Sequence, residues 1–457
     1  MKYHLVTLGC AKNTVDSMRL EQALRNGRHL AVDAPEDADL LFVNTCGFID
    51  AAKDESIGVV QELQAGKRPG QKLYVVGCLT QIAEAQVRDA VPGIDGAFGV
   101  EAWDAIAAEV GAASETYDIP QPAAMSFGQP SAYLKISDGC DRPCTFCIIP
   151  TIKGGMHSMD TRRLIAEARM HAAAGAKELV LVAQDLTAYG EDEGGRDGLA
   201  AFLESLSAEV PEVPWIRLMY AYPGRVTPRL AETMAALPNV VPYLDMPLQH
   251  GSDAVLRRMK RPTLAKSRQS IEVVRAALPD VVLRTTFIVG FPGETETEFR
   301  EMLDFVREQR FDHIGAFTYS PQVGTPAETM GEQVPESVKQ ERYGRLMELA
   351  QEFSLASNRR MVGREIDVLV ESREPSKSAG GDAIVVGRTI RDAPEVDGLA
   401  LLKGAYPAGS MVRAVVRGAL SYDLLCDPVE ALAPTLNIRA ARPSRGAGDA
   451  RVRRRRS

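Results

Sequence analysis

Three cysteines lie within eight residues near the middle of the chain, in the segment Cys140-Asp141-Arg142-Pro143-Cys144-Thr145-Phe146-Cys147. Their C-x3-C-x2-C spacing suits three thiolates that hold three corners of a four-iron cluster and leave the fourth iron without a protein ligand. An open coordination position is typical of catalytic metal sites and is usually lacking in structural ones. The alternative is a zinc site, for which the fourth ligand would be His157, at an unusual spacing. The motif therefore predicts a cluster with one open iron.

The chain from its start to about Pro120 alternates short apolar runs with helical patterns. Strands are predicted at Tyr3–Thr7, Leu40–Asn44 and Leu73–Gly77, and helices at Val15–Asn26, Asp50–Gln64 and Gln81–Ala90. Such alternation predicts an α/β domain with a parallel sheet and helices on its faces.

Three further cysteines, Cys10, Cys46 and Cys78, each lie within a few residues of the end of one of these strands. The carboxyl ends of parallel strands lie on one side of a sheet, and ligands bind in the crevice there. The three cysteines are therefore expected to converge, although 35 and 31 residues separate them. The alternative is three small buried hydrophobic residues. We predict a second iron–sulfur site in this domain, residues 1–120.

A segment rich in Pro, Ala and Gln follows, and we expect residues 121–132 to form a linker. Residues 133–358 again alternate, with strands predicted at Tyr133–Ser137, Leu179–Ala183, Ile216–Tyr220, Tyr243–Met246, Leu283–Val289 and Ile314–Tyr319. Six such units predict a partial (βα)6 barrel, whose chemistry lies at the carboxyl ends of its strands. The cysteine motif follows the first strand, at that end.

Residues 359–430 contain short strands without helices, predicted at Arg364–Glu371, Ala383–Arg388, Leu399–Leu402, Met411–Ala419 and Tyr422–Asp427. This pattern predicts a small β-barrel of the oligonucleotide-binding type. Ten Lys and Arg residues stand against eleven Asp and Glu, so the barrel has no strongly basic excess. The seventh cysteine, Cys426, lies in a predicted strand and is expected to be a core residue.

Residues 431–457 form an arginine-rich tail that we expect to be disordered. From Asn437 to Ser457 there are eight arginines and one aspartate, a charge of +7 that leaves -15 on the rest of the chain, since the total is -8. The acidic body is not an obvious nucleic-acid binder, whereas the tail can contact RNA without sequence preference. No apolar run is long enough to span a membrane and no secretory signal is evident, so we expect a cytoplasmic protein without membrane association.

With Phe146 before its last cysteine, the central motif resembles the signature of the radical S-adenosylmethionine (SAM) superfamily, in which SAM chelates the open iron. The segment from Ser137 to Pro150 and the run Gly9-Cys10-Ala11-Lys12-Asn13 resemble the methylthiotransferases within it. That resemblance covers nearly the whole chain. It implies an auxiliary cluster on Cys10, Cys46 and Cys78, a radical SAM barrel, and a TRAM domain at the C-terminus.

The resemblance also implies which residues contact SAM. Gln184 and Asp185 follow the second barrel strand, where polar groups reach the ribose or amino group of SAM, although Asp185 is also placed to cap a helix. Gly290 and Gly293 lie in the segment that supports adenine and allow close backbone approach. Phe146 is expected near the cluster and adenine, with ordinary core packing as the alternative. No catalytic protein residue is predicted.

Two positions depart from the family pattern, because Lys153 and Met159 stand where arginines are usual. Lysine keeps the charge without the bidentate fork of arginine, and methionine loses the charge. We hypothesise that Arg162 or Arg163 compensates. His250 also lies in a matching segment, but a lone histidine is more often a satisfied polar group than a catalyst.

The resemblance implies an enzyme that uses two 4Fe-4S clusters, SAM and an electron donor such as flavodoxin or ferredoxin. Its predicted reaction adds a methylthio group to the β-carbon of an aspartate in the twelfth small-subunit ribosomal protein. The alternative substrate is a tRNA adenosine, but the tRNA enzymes usually have Gly-Cys-Gln-Met-Asn and a more basic final barrel. A hypothesis of another class is a non-catalytic iron–sulfur protein that binds RNA.

Overall fold

The computed structural model describes residues 1–100, 102–111, 129–372, 376–377 and 383–430. Most of the predicted linker and the whole arginine-rich tail lie outside these residues. Among these residues three large sheets follow one another along the chain, with five, six and six strands, and a fourth sheet has two strands. In the part of the chain so described, no helix is both long and apolar enough to cross a membrane.

The N-terminal sheet is fully parallel, in the strand order β2-β1-β3-β4-β5. Its strands are β1 Lys2–Thr7, β2 Leu30–Ala31, β3 Leu40–Thr45, β4 Lys72–Gly77 and β5 Gly96–Phe98. Its helices are α1 Ala11–Asn26, α2 Asp50–Gly66, α3 Cys78–Ala90 and α4 Trp103–Val110. The three predicted strands are present as direct neighbours, while α1 begins four residues earlier than predicted because Cys10 occupies its N-cap position.

The central sheet contains six parallel strands in the order β13-β12-β11-β10-β9-β6, and β7 pairs with β8 in a separate two-stranded antiparallel sheet. The strands are β6 Ser131–Lys135, β7 Ser137–Asp138, β8 His157–Ser158, β9 Glu178–Val182, β10 Trp215–Leu218, β11 Val240–Asp245, β12 Val282–Val289 and β13 His313–Thr318. The helices are α5 Ile149–Lys153, α6 Thr161–Ala173, α7 Gly198–Glu209, α8 Pro228–Ala236, α9 Asp253–Arg258, α10 Leu264–Ala277, α11 Glu296–Gln309 and α12 Glu336–Arg359. The six predicted strand–helix units are thus confirmed.

The C-terminal sheet closes on itself, because β14 pairs with both β18 and β16. Its strands are β14 Glu365–Val370, β15 Ser376–Lys377, β16 Ala383–Arg388, β17 Ala400–Lys403, β18 Met411–Ala419 and β19 Leu424–Glu430. Cys426 is buried in its apolar core, as predicted. The predicted small β-barrel is therefore present.

The loop after β16 docks against the amino-terminal half of the central sheet. The guanidinium of Arg217 in β10 donates to Glu178 at 2.6 Å and to the carbonyl of Ile390 in that loop at 3.0 Å. Arg388 donates to the same Glu178 at 2.6 Å, and the Tyr243 hydroxyl donates to Asp397 at 2.6 Å. The C-terminal barrel thus closes one end of the central barrel and leaves the carboxyl ends of its strands for chemistry.

Candidate active site

The structure brings Cys10, Cys46 and Cys78 to one edge of the N-terminal sheet. They follow β1, β3 and β4, which are adjacent strands. The Cys46 side chain packs directly on Gly9: a Cβ built there would lie 2.8 Å from Cys46 Cβ and 3.1 Å from its Sγ. Since Gly9 also has a φ of +95°, only glycine allows the loop that carries Cys10 to approach Cys46 this closely.

Two asparagines, to which the sequence interpretation assigned no role, hold the loops of this triad together. Asn13 donates from Nδ2 to the carbonyls of Leu8 and Thr45, at 2.9 and 3.1 Å. Its Oδ1 lies 3.5 Å from the Cys78 sulfur. Asn44 in turn donates to the Asn13 carbonyl at 2.9 Å. These bonds link the turns after β1, β3 and β4, so the three cysteines depend on one small polar network.

The central triad lies on a loop between β7 and α5, and Cys140, Cys144 and Cys147 are all half-buried. The amide of Cys140 donates to the Gly154 carbonyl at 3.1 Å, and that of Cys147 to the Cys144 carbonyl at 3.2 Å. Arg261 places its Nη1 3.7 Å from the Cys144 sulfur. The Thr145 amide also donates to the carbonyl of Met259, the residue after α9, at 3.1 Å. The loop is therefore held by its own backbone and by this distant segment, and it faces a guanidinium.

The chemistry of these thiols suits metal ligation. All seven cysteines are free. Burial raises the pKa of Cys78 and of Cys147 to about 12, so a thiolate at either position needs a cation to stabilise it. Among the described residues no three His, Cys, Asp or Glu side chains converge tightly enough for a single metal ion. A four-iron cluster has its ligands on different irons, so it accepts thiols that lie further apart than the ligands of one ion.

One buried acceptor beside the central triad is left without a partner. Gln184 donates from Nε2 to Asp138 at 2.8 Å, but its Oε1 is buried and unbonded. Asp185 accepts from the Thr187 amide at 2.9 Å and from Arg142 at 2.7 Å, so the capping interpretation describes its contacts. The Gln184 oxygen fits a ligand that brings a hydrogen-bond donor, as the amino or ribose group of SAM does.

In the turn after β12 the backbone comes close to a neighbouring side chain, as its two glycines predict. Gly290 and Gly293 have φ values of +72° and +71°. A Cβ on Gly290 would lie 2.3 Å from the Lys339 side chain, so this position excludes larger residues. The Glu294 carboxylate accepts the Gly290 amide at 2.9 Å and fixes the turn.

Two other candidates are engaged in the core. Phe146 packs against a small apolar cluster that includes Phe291 and Tyr319, as its alternative interpretation of ordinary core packing predicts. His250 is fully buried, with its Nε2 3.2 Å from Glu294 and its Nδ1 accepting the Ser252 amide at 3.0 Å. Both ring nitrogens are therefore satisfied, as expected for a structural histidine.

Four buried charges join the two cysteine sites, and we refer to Asp16, Lys135, Asp138 and Lys153 as the quartet. Lys135 bonds to Asp16 and Asp138 at 2.5 and 2.7 Å, and Lys153 to the same residues at 2.9 and 3.2 Å. Burial raises the pKa of both carboxyls, but the two ammonium groups outweigh it and hold each pKa below its usual value. Asp16 lies in α1, which follows Cys10, and Asp138 lies two residues before Cys140.

Lys153 stands where an arginine is usual in the family pattern, and the quartet gives this lysine a role that the sequence did not suggest. Its point charge is shared between two carboxylates from different domains. Met159 receives a contact from Arg19 Nη2 at 3.0 Å, so this position also faces the N-terminal domain. Compensation by Arg162 or Arg163 stays a prediction. Asp16 and Lys135 were missed because nothing in their sequence neighbourhood marks them as partners.

Lys12 reaches from the N-terminal triad to the mouth of the central barrel. Its ammonium nitrogen lies 3.7 Å from the ring centroid of Tyr220, and both side chains are half-buried. Tyr220 follows β10 with a φ of +67°, an uncommon backbone conformation for a residue other than glycine. Its amide donates to Asp245, at the carboxyl end of β11, at 3.3 Å.

Comparison with protein-family models divides the chain in the same way as its sheets do. Residues 2–99 match Uncharacterized protein family UPF0004, residues 134–306 match the Radical SAM superfamily, and residues 362–429 match the TRAM domain. The cysteine triads thus fall in the first and second of these regions. The match to a TRAM domain coincides with the closed β-barrel.

Curated relatives align over nearly the whole chain. The ribosomal protein uS12 methylthiotransferase RimO of Chloroflexus aurantiacus is 45% identical over 453 residues, which cover 93% of this chain and 99% of the relative. The chain belongs to the uS12 methylthiotransferase family. The protein of the same name from Moorella thermoacetica is 44% identical over 422 residues, 89% of this chain and 94% of the relative. Membership of this radical SAM family implies SAM and 4Fe-4S clusters as cofactors.

Solved structures support the fold of this family member. The radical SAM methyltransferase TsrM from Kitasatospora setae, with cobalamin and a [4Fe-4S] cluster bound, superposes with a TM-score of 0.54 at 13% identity. The match covers 72% of this chain and 77% of that one. At this identity the likeness shows the shared architecture alone.

Proposed function

We propose that this protein transfers a methylthio group to the β-carbon of an aspartate in ribosomal protein uS12. The observation that carries the proposal is the pair of cysteine triads, one in each of two domains whose interface is closed by the buried quartet. Relatives named for this activity match the chain over almost its full length, which supports the same assignment.

We assign Cys140, Cys144 and Cys147 to a cluster with one open iron, and Cys10, Cys46 and Cys78 to a second cluster. A reduced cluster held by Cys140, Cys144 and Cys147 would supply the electron that cleaves a carbon–sulfur bond of SAM, and thereby the means to take hydrogen from an unactivated carbon. The chain itself positions the reactants. The quartet fixes α1, which follows Cys10, relative to the elements on either side of the central triad. The docked C-terminal barrel closes the opposite end of the central barrel.

For SAM we assign the free Gln184 oxygen as an acceptor, and Asp185, Gly290, Gly293 and Phe146 as further contacts. Two guanidinium groups lie near the Tyr222 ring. That of Arg142 is 4.9 Å and that of Arg261 is 4.2 Å from the ring centroid. They add positive charge beside Cys144, where a ligand carboxylate is expected to bind.

The proposed domains are an N-terminal methylthiotransferase domain at 1–120, a linker at 121–132, a radical SAM domain at 133–358, a TRAM-like barrel at 359–430 and an arginine-rich tail at 431–457. The proposed electron donor is a small protein such as flavodoxin or ferredoxin. We place the enzyme in the cytoplasm, where ribosomes are made, with RNA contact through the tail.

Mass spectrometry of ribosomes and tRNA from a strain lacking this gene tests the substrate. We expect uS12 to lose its methylthio group while the tRNA nucleosides stay unchanged. The reverse result would show a tRNA enzyme. If reduced protein with both clusters intact forms no 5′-deoxyadenosine from SAM, the chain would instead be a non-catalytic binding protein.

A further inference from the structure

The proposed chemistry assigns no role to Lys12. It lies two residues after Cys10, and its ammonium nitrogen lies over the Tyr220 ring, 3.7 Å from the ring centroid. Tyr220 and Asp245 mark the carboxyl ends of β10 and β11. The ammonium is therefore beside the N-terminal triad and in the barrel mouth at once.

This cation has an aromatic face beneath it but no anion bonded to it. Among the described residues, no carboxylate lies within ion-pair distance of Lys12. The carboxylates nearby are already occupied, since Asp245 accepts from Arg284 at 3.0 Å and Asp138 belongs to the quartet. A partly desolvated ammonium with one weak partner has unused capacity to bind an anion.

The backbone beneath Lys12 is held in an unusual conformation. The φ of +67° at Tyr220 is sparsely populated by residues other than glycine, and such strain persists where the surrounding structure imposes it. Here the bond from the Tyr220 amide to Asp245 contributes to that constraint. The result is a ring that faces Lys12 and holds its charge at a fixed place in the mouth.

Two anions are expected in this mouth, the carboxylate of SAM and that of the substrate. Arg142 and Arg261 lie beside the central triad, with Arg261 3.7 Å from the Cys144 sulfur, so SAM has cations of its own. Lys12 lies on the side of Cys10 instead. The carboxylate of a substrate aspartate is bonded directly to the β-carbon that reacts, so its partner must be close to both triads.

We propose that Lys12 binds the side-chain carboxylate of the target aspartate and thereby selects an acidic residue and positions its β-carbon. This inference rests on the proposed function. A charge-assisted hydrogen bond of this kind corresponds to about a tenfold effect or more on binding. Asparagine at the target would keep the shape and lose the charge.

The test measures binding of purified uS12 to holoenzyme by fluorescence anisotropy, with the target aspartate either intact or replaced by asparagine. The parent enzyme should bind the aspartate form about tenfold more tightly. Lys12→Met, which keeps the length of the side chain without its charge, should bind both forms equally, while Lys12→Arg should retain the preference. The matched control is Lys72→Met, an exposed lysine of the same domain, which should behave like the parent.

Iron content and SAM cleavage without uS12 establish that each variant is loaded. If Lys12→Met loses iron, Lys12→Gln takes its place in the same comparison. A full aspartate preference in the loaded charge-removed variant would overturn the assignment of Lys12. Mass spectrometry of uS12 after turnover by the parent enzyme tests the proposed function separately. If the parent enzyme does not modify uS12, the proposed function fails, whatever the binding measurements show for Lys12.

Discussion

The two cysteine triads are built in opposite ways. The central one occupies eight consecutive residues on one loop, whose amides bond locally, from Cys147 to Cys144, and to a distant segment, from Thr145 to the Met259 carbonyl. The N-terminal one collects cysteines separated by 35 and 31 residues, and depends on three adjacent strands, on Gly9 and on the Asn13 and Asn44 bonds. The short spacing of the central motif keeps its cysteines near one another before the barrel folds, whereas the dispersed cysteines meet only when their domain is folded.

Loss of a central ligand should have the largest effect. Cys144→Ala removes one of three thiolates from a site with no spare protein ligand, so reductive cleavage of SAM should be abolished. The N-terminal cluster should survive, since its ligands lie in another domain. Anaerobic assay of 5′-deoxyadenosine, with iron analysis, checks both. Cys426→Ala, in the C-terminal barrel core, is the control, and parent-rate cleavage by Cys144→Ala would refute the ligand assignment.

Loss of an N-terminal ligand should separate the two halves of the reaction. Cys46→Ala leaves the central loop untouched, so SAM cleavage should persist. Methylthio transfer to uS12 should stop, because sulfur would have no cluster at which to bind. Parallel measurement of 5′-deoxyadenosine and of modified uS12 tests this separation. A variant that still modifies uS12 would make the first triad a structural feature.

The quartet decides how firmly the two sites are joined. Asp16→Asn leaves Lys135 and Lys153 to share Asp138, and breaking a buried ion pair typically costs about 3–5 kcal/mol. We expect the free energy of unfolding at pH 7 to fall by about 3 kcal/mol, as measured by urea denaturation. Asp54→Asn, at an exposed carboxylate of the same domain, is the control and should change little.

The difference in stability between the parent and Asp16→Asn is also expected to depend on pH. Because the pKa of Asp16 is held below its ordinary value, its stabilisation is present above pH ~4 and is lost as the pH falls further. The difference in stability between the parent and Asp16→Asn should therefore shrink as the medium is acidified below pH ~4. A difference that stays constant on acidification would contradict an ionised Asp16.

The smallest effect is expected from the tail, which lies outside the described residues. Deleting residues 437–457 should leave SAM cleavage unchanged, because neither triad is involved. It should weaken co-sedimentation with ribosomes by a few-fold, most at low salt, since phosphate contacts release counterions. Equal co-sedimentation of full-length and truncated protein across a salt series would exclude recruitment by the tail.

The sequence allowed prediction of elements more readily than of contacts. Alternating apolar and helical runs predicted the neighbouring strands β1, β3 and β4 and the six strands of the central barrel. The short strands β2 and β5 were missed because so few residues leave no periodic signal. For Phe146 and Asp185 the sequence left two interpretations open, and the contacts described are core packing and helix capping, which only the surrounding elements reveal.

The amino-acid sequence by itself determined the two sets of cysteines, the domain order and the chemistry that a C-x3-C-x2-C loop can support, because those depend on residue type and short spacing. Only the tertiary structure placed Asp16 against Lys153 and Lys12 over Tyr220, pairs separated by more than a hundred residues. Such pairs form when two domains dock. Their position in space follows from the packing of whole sheets and helices, and no local pattern encodes it.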